Sequence, residues 1–197
     1  EHYSKPYEVI WNELRGISEM GINAERKTSY ASIQKTRTFH PSTSDTTFLI
    51  SQLSKNLEDA CAKARHYSLT PKKLSIYLKD AEFEIISHTI VLSSPTNTPE
   101  VLLSYIVEHF EKLYTKRKLY RATGVTLCDL TRDTVHQDDL FGSSDRAHTW
   151  EAIHKQLDAL ETKHGKKLVH LASTQAALDR HTLGTESEDV ERNLLFL

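Results

Sequence analysis

The sequence predicts an α+β domain of the split βαβ type (βαββαβ), a four-stranded antiparallel sheet with two helices on one face. A smaller helix and strand extension is expected at the C-terminus. Three observations carry this. Lys73–Lys79 alternates residue by residue, with Leu74, Ile76 and Leu78 on one side and Lys73, Ser75, Tyr77 and Lys79 on the other. Two stretches repeat apolar residues at helical spacing: Leu49, Leu53, Leu57, Ala60, Cys61 and Ala64, then Leu102, Ile106, Phe110 and Leu113. The remaining β-rich stretches fall around these helices in the order strand, helix, strand, strand, helix, strand.

Taken in order, Val9–Leu14 reads as a short helix closed by Gly16. Gly21–Lys27 has no periodicity and reads as a linker. Thr28–Phe39, rich in Ser, Thr, Tyr and Ile, is the expected first strand. Its alternation is imperfect: Ile33 and Phe39 belong in a core, yet Lys35 and Arg37 share their parity, so a bulge or an edge position is expected. The Pro41–Asp45 segment announces a helix N-terminus, with Ser44 or Asp45 as cap, and Thr70-Pro71 is read as the end of that helix. After the alternating second strand, Asp80, Ala81 and Glu82 turn the chain into a third, Phe83–Leu92. Thr98 caps and Pro99 opens the second helix, and Arg121–Leu130, with Val125 and Leu127 inward, is the fourth strand. A third helix is expected over Asp145–Lys163, followed by Gly165 and the apolar Leu168–Leu171. The acidic Thr182–Leu197 is expected to be partly ordered, or docked by its apolar end.

A chain of 197 residues with 38% hydrophobic content can bury one core and a second small one. No apolar run approaches the ~18 residues of a membrane span and no signal-peptide pattern opens the chain, so no membrane partner is expected. The opening Glu1-His2-Tyr3, without Met, suggests an excised fragment. Cys61 and Cys128 have no ligand spacing, which points to a reducing, intracellular setting and no structural metal. The eleven histidines form no helical pair and read as scattered surface residues. The net charge of −2 hides a segregation: residues 1–25 carry −3, residues 26–132 carry sixteen basic and ten acidic side chains, hence +6, and residues 133–197 carry −5. A basic module between acidic ends suits a polyanionic partner, and a merely solvated basic face is the alternative. The expected open sheet face offers Lys73, Tyr77, Lys79, Arg121 and the polar atoms of the first strand, which suit phosphate contacts.

Residues 137–141, Gln-Asp-Asp-Leu-Phe, lie in a polar linker with no fold signal. Leu140 and Phe141 have no local core to join. Either they anchor the linker back onto its own domain, or they fill a pocket on a partner.

The segment Ser32-Ile-Gln-Lys-Thr-Arg-Thr-Phe39 resembles the first strand of the little finger domain of Y-family translesion DNA polymerases. Trp11-Asn-Glu-Leu-Arg-Gly-Ile17 resembles the end of the preceding thumb, Asp59-Ala-Cys-Ala-Lys-Ala-Arg65 the end of the first little-finger helix, and Leu119-Tyr-Arg-Ala-Thr-Gly-Val-Thr-Leu127 the last strand. Together they span about residues 9–142. The stretch from Trp150 to Ser173 is similar to the C-terminal extension of bacterial DinB/UmuC-type (ImpB/MucB/SamB) members.

The resemblance implies a division into the end of the thumb and linker (1–25), a DNA-binding little finger (26–132), a clamp-binding linker (133–144) and a partly flexible C-terminal extension (145–197). It implies that Ser32, Gln34, Lys35, Arg37, Arg121 and Gly124, with Lys73 and Lys79, meet the phosphates of a duplex template–primer, largely without regard to sequence. Ala31 stands where a basic residue is common in the family, and Thr126 where some members carry Arg. It also implies that Gln137, Asp139, Leu140 and Phe141 form a sliding-clamp-binding peptide, with Asp138 in place of the more usual Leu. The family's catalytic carboxylates and their Mg²⁺ lie in the palm, ahead of the thumb, so this fragment is expected to be non-catalytic and to hold no cofactor. Asp129, Asp138 and Asp139 read as solvated charges. A cytoplasmic, bacterial setting is implied. The alternative is a stand-alone ferredoxin-like RNA-binding or protein-interaction module, for which Tyr77, with Tyr30, would be the stacking platform.

Overall fold

The computed structural model describes residues 4–19, 21, 30–132 and 144–180. Helix α1 (Lys5–Leu14) begins earlier than its apolar pattern, because Pro6 near its first turn has no N–H to satisfy. Gly16, at φ +80, ends it as expected. Strand β1 (Ser32–Thr43) is followed by α2 (Thr46–His66), β2 (Leu69–Asp80), β3 (Ile85–Val91), α3 (Pro99–His109) and β4 (Tyr120–Arg132). The strands form one antiparallel sheet in the order β1-β4-β2-β3. This is the expected split βαβ arrangement.

The helix-forming patterns become the core. Leu49, Leu53, Leu57, Ala60, Cys61 and Ala64 of α2 are completely buried, together with Leu74, Ile76 and Leu78 of β2 and Val125 and Leu127 of β4. Leu102 and Ile106 of α3, with Phe110 and Leu113 beyond it, complete the same cluster. Each such aliphatic side chain contributes about 1.5–3 kcal/mol when removed from water. A buried polar bridge fixes α2 over the sheet: the Asn56 amide donates to the Thr123 carbonyl at 3.2 Å and to its hydroxyl at 3.1 Å, and accepts from Gln52. Burial pushes the Cys61 thiol up to about 12, so it remains a protonated core residue.

The structure corrects three boundaries and settles one cap. Pro41 lies inside β1, which runs on to Thr43; β1 is an edge strand whose pairing with β4 shifts between Thr38 and Thr43, and a missing N–H costs no ladder bond there. Asp45 is the cap of α2, its carboxylate accepting from the Thr47 N–H at 2.9 Å. Thr70-Pro71 belongs to β2, opposite Thr131 and Leu130; the helix ends instead through Ser68 at φ +52. Phe83 sits in the turn before β3, at φ +73. That turn is organised by Asp80, which accepts the N–H groups of Glu82 and Glu84 and pairs with Lys118. Hydrogen bonding to Lys118 holds its carboxyl below the ordinary value.

After the sheet come α4 (Ser144–His164) and a final helix α5 (175–180) preceded by a 3-10 turn, Ala172–Thr174. No strand forms at Leu168–Leu171, contrary to expectation, and the neighbours of this stretch are helices. The extension lies across α2 and α3. Asp158 grips the Arg65 guanidinium through two bonds of 2.8 Å. His154 meets Glu100 at 2.9 Å, Lys167 meets Glu58 at 3.2 Å, and the Leu171 N–H donates to Glu58. The Ala177 N–H donates to Ser51, and Arg180 stacks over Phe48. The linker with Gln137–Phe141 and the tail Thr182–Leu197 lie outside the described residues.

Candidate nucleic-acid interface

The sheet face opposite the helices follows from register. Four rows cross it in the order β1, β4, β2, β3: Ser32–Cys128–Lys73–Val91, Gln34–Thr126–Ser75–Thr89, Thr36–Gly124–Tyr77–Ser87 and Thr38–Ala122–Lys79–Ile85. Side chains that share a row share a face. Hydroxyl groups dominate the middle, and the Thr89 hydroxyl donates to that of Ser75 at 3.2 Å. The cations stand at the two ends. Such a face offers many neutral donors with charge at its margins, the chemistry of phosphate contacts rather than base reading.

At one end the Lys73 ammonium lies 2.7 Å from the Asp129 carboxylate, and hydrogen bonding to Asp129 raises its pKa. Asp129 is thus an ion-pair partner, a correction to its reading as a solvated charge; the pair is half-exposed and open to competition from another anion. At the other end Lys79 and Arg121 flank the exposed Phe83 ring, at 4.9 and 4.2 Å from its centre. Sequence order hides this cluster, because Arg121 is distant in the chain from the turn that holds Phe83.

Gly124 is buried in the middle of the face. A Cβ there would stand 2.0 Å from the Tyr77 ring, so the ring lies over the glycine. Tyr30 is not on this face: it packs on Tyr67 beside the end of α2, at 4.7 Å between ring centres. One leaning tyrosine is a poor platform for stacking bases. Cys128 borders Lys73, and burial together with Asp129 raises its pKa.

Of the residues singled out by sequence, Ser32, Gln34, Lys73, Lys79 and Gly124 are brought onto this face, with Arg121 at its rim. Lys35 and Arg37 are not. Their partners on β4 are Val125 and Thr123, which face the helices. The edge position of β1 explains how two long cations share parity with Ile33: their stems pass beyond the edge of the core into water. Among the described residues no group of three or more His, Cys, Asp or Glu side chains is placed to hold a metal ion. None of the described helices is long and apolar enough to cross a membrane.

Residues 30–140 match the model of the impB/mucB/samB family C-terminal domain. The chain is 24% identical over 176 residues to DNA polymerase IV 1 of Bacillus subtilis (strain 168), an alignment that covers 88% of this chain and 42% of that protein. It therefore spans less than half the length of that relative. Among solved structures, the insertion ternary complex of Dbh DNA polymerase aligns at 15% identity and TM-score 0.43, over 64% of this chain and 36% of that one. The little finger domain of PolIV, in its complex with the β-clamp processivity factor, aligns at 18% identity and TM-score 0.38, over 56% of this chain and 98% of that one.

Proposed function

The chain belongs to the impB/mucB/samB family through that family's C-terminal domain, and from this premise we propose that it is the non-catalytic, duplex-gripping and clamp-docking part of a translesion DNA polymerase. Residues 1–25 would close the thumb, 26–132 form the little finger, 133–144 carry the clamp peptide and 145–197 form the extension. The observation that carries the reading is the open face: four rows of mostly hydroxyl and amide side chains with Lys73 at one end and Lys79 and Arg121 at the other. On a duplex, the hydroxyls of Ser32, Ser75 and Thr126 and the amide of Gln34 would donate to phosphate oxygens. Lys79 and Arg121 would supply the charge that displaces condensed counterions. None of these groups is arrayed to read base edges, so the grip is independent of sequence. Gln137 and Asp139, with Leu140 and Phe141, would dock on the sliding clamp as an extended peptide. Nucleotide chemistry and its Mg²⁺ belong to palm carboxylates outside this chain.

The test is fluorescence anisotropy of a labelled, primed duplex titrated with the chain over a range of salt. Log K is expected to fall linearly with log salt, with a slope of about −0.9 per phosphate contacted, and to be the same for unrelated sequences. Lys79→Glu with Arg121→Glu is expected to weaken binding by about tenfold or more, since each reversal removes one phosphate contact and adds repulsion. Binding that ignores salt, or that selects one sequence strongly, overturns the proposal.

A further inference from the structure

On the opposite side of β1 from the open face lies a cleft of about 770 Å³, walled by α2 and β1 on one side and by α4 on the other. Its lining is charged, but the charges are unequally neutralised. Arg65 is held by Asp158, and Asp59 by Lys55 and Lys167. Glu151 and Glu161 lie along the α4 wall. Three lysines remain that form no ion pair among the described residues: Lys35 of β1, Lys63 of α2 and Lys155 of α4. The Lys63 ammonium rests on the Tyr30 ring, 4.6 Å from its centre, which fixes its place without cancelling its charge. Three separate elements therefore each bring a lysine outside any ion pair to a cleft whose lining also holds Glu151 and Glu161.

That cleft and the open face are separated by the thickness of one strand. Gln34 and Thr36 of β1 point to the open face, while Lys35 and the exposed Arg37 point to the other side. Because β1 is the edge of the sheet, no further strand flanks it among the described residues, and Arg180 of the extension reaches it only near its end, donating to the Pro41 carbonyl. We propose that the cleft takes a second stretch of phosphodiester backbone, so that nucleic acid bound to this chain turns around the β1 edge instead of resting on the sheet alone. This rests on the duplex-gripping reading and adds to it a binding surface half supplied by α4, a helix beyond the residues matched by the family model. It also gives Lys35, displaced from the open face, a place in the same contact.

The experiment uses the full chain and a labelled primed duplex with a single-stranded template overhang, with the same salt titration. Lys63→Glu with Lys155→Glu is expected to weaken binding about tenfold and to make the salt slope shallower by about 2, since about 0.9 is lost per phosphate contact. Lys63→Gln with Lys155→Gln, which removes charge without adding repulsion, should show the same change of slope with a smaller loss of affinity. Thermal unfolding of both variants separates a lost contact from a lost fold. If both double variants are folded and bind with unchanged affinity and slope while Lys79→Glu with Arg121→Glu weakens binding, the cleft proposal is wrong and the open-face reading stands. If the unaltered chain shows no salt-dependent binding, both fall.

Discussion

Tyr77 and Gly124 face each other on β2 and β4, and a methyl group at 124 would stand 2.0 Å from one ring carbon and 2.5 Å from another. The glycine is required by this neighbour and not by its backbone angles, since it is absent from the positions with positive φ. An aromatic ring laid over a cross-strand glycine shields backbone that would otherwise weaken the ladder. Gly124→Ala must displace the ring, and is expected to cost about 1–3 kcal/mol in a urea titration. Combined with Tyr77→Ala, which empties the space, it should cost much less than the sum of the two single changes. Strict additivity would mean that ring and glycine do not compete for one volume. The glycine was visible in the sequence as part of a strand motif, but its physical role was not, because the ring that covers it comes from a strand paired only in the folded sheet.

At the scale of elements, the extension is held by carboxylates and cations that the helices bury toward it. Glu58 of α2 is 7% exposed, and its ammonium partner is Lys167, in the extension. Lys167→Met in the full chain leaves that carboxylate in a nearly dry site without its ammonium. A loss of about 3–5 kcal/mol is expected, read as a fall in melting temperature. Adding Glu58→Gln should restore part of it, since an uncharged amide no longer needs the cation. An unchanged melting temperature in Lys167→Met would mean that the pair is too wet to matter. The helices and strands themselves were legible because their patterns are local: the spacing of Leu49, Leu53 and Leu57 and the alternation of Leu74, Ile76 and Leu78 needed no tertiary information. The docking of the extension was not legible. Glu58, Arg65 and Glu100 look like ordinary surface charges until the partners, roughly 50 to 110 residues later, are folded against them. The side on which Lys35 and Arg37 lie was not legible for a related reason: only the register of β1 on β4 says to which side they point.

Over the whole molecule, charge divides along the chain. The basic residues 26–132 would hold the duplex, and the peptide at Gln137–Phe141, between that domain and the acidic C-terminal part, would hold the clamp. The two grips are separable in principle. Leu140→Ala with Phe141→Ala is expected to abolish retention by a bacterial sliding clamp in a pull-down, while duplex affinity in the anisotropy assay stays within about twofold of the unaltered chain, because two truncated apolar anchors remove the centre of one contact and no phosphate donor. Undiminished clamp retention would assign Leu140 and Phe141 to the domain's own packing instead. The leaning Tyr77 sets the relief of the open face. With the ring tilted across the neighbouring strand, the centre of the face has no upright knob to lock into a groove. Donors come instead from short hydroxyls spaced evenly along the rows. By letting the ring lie down, that glycine leaves the charged ends of the face, and not its centre, to set where a polyanion would first touch.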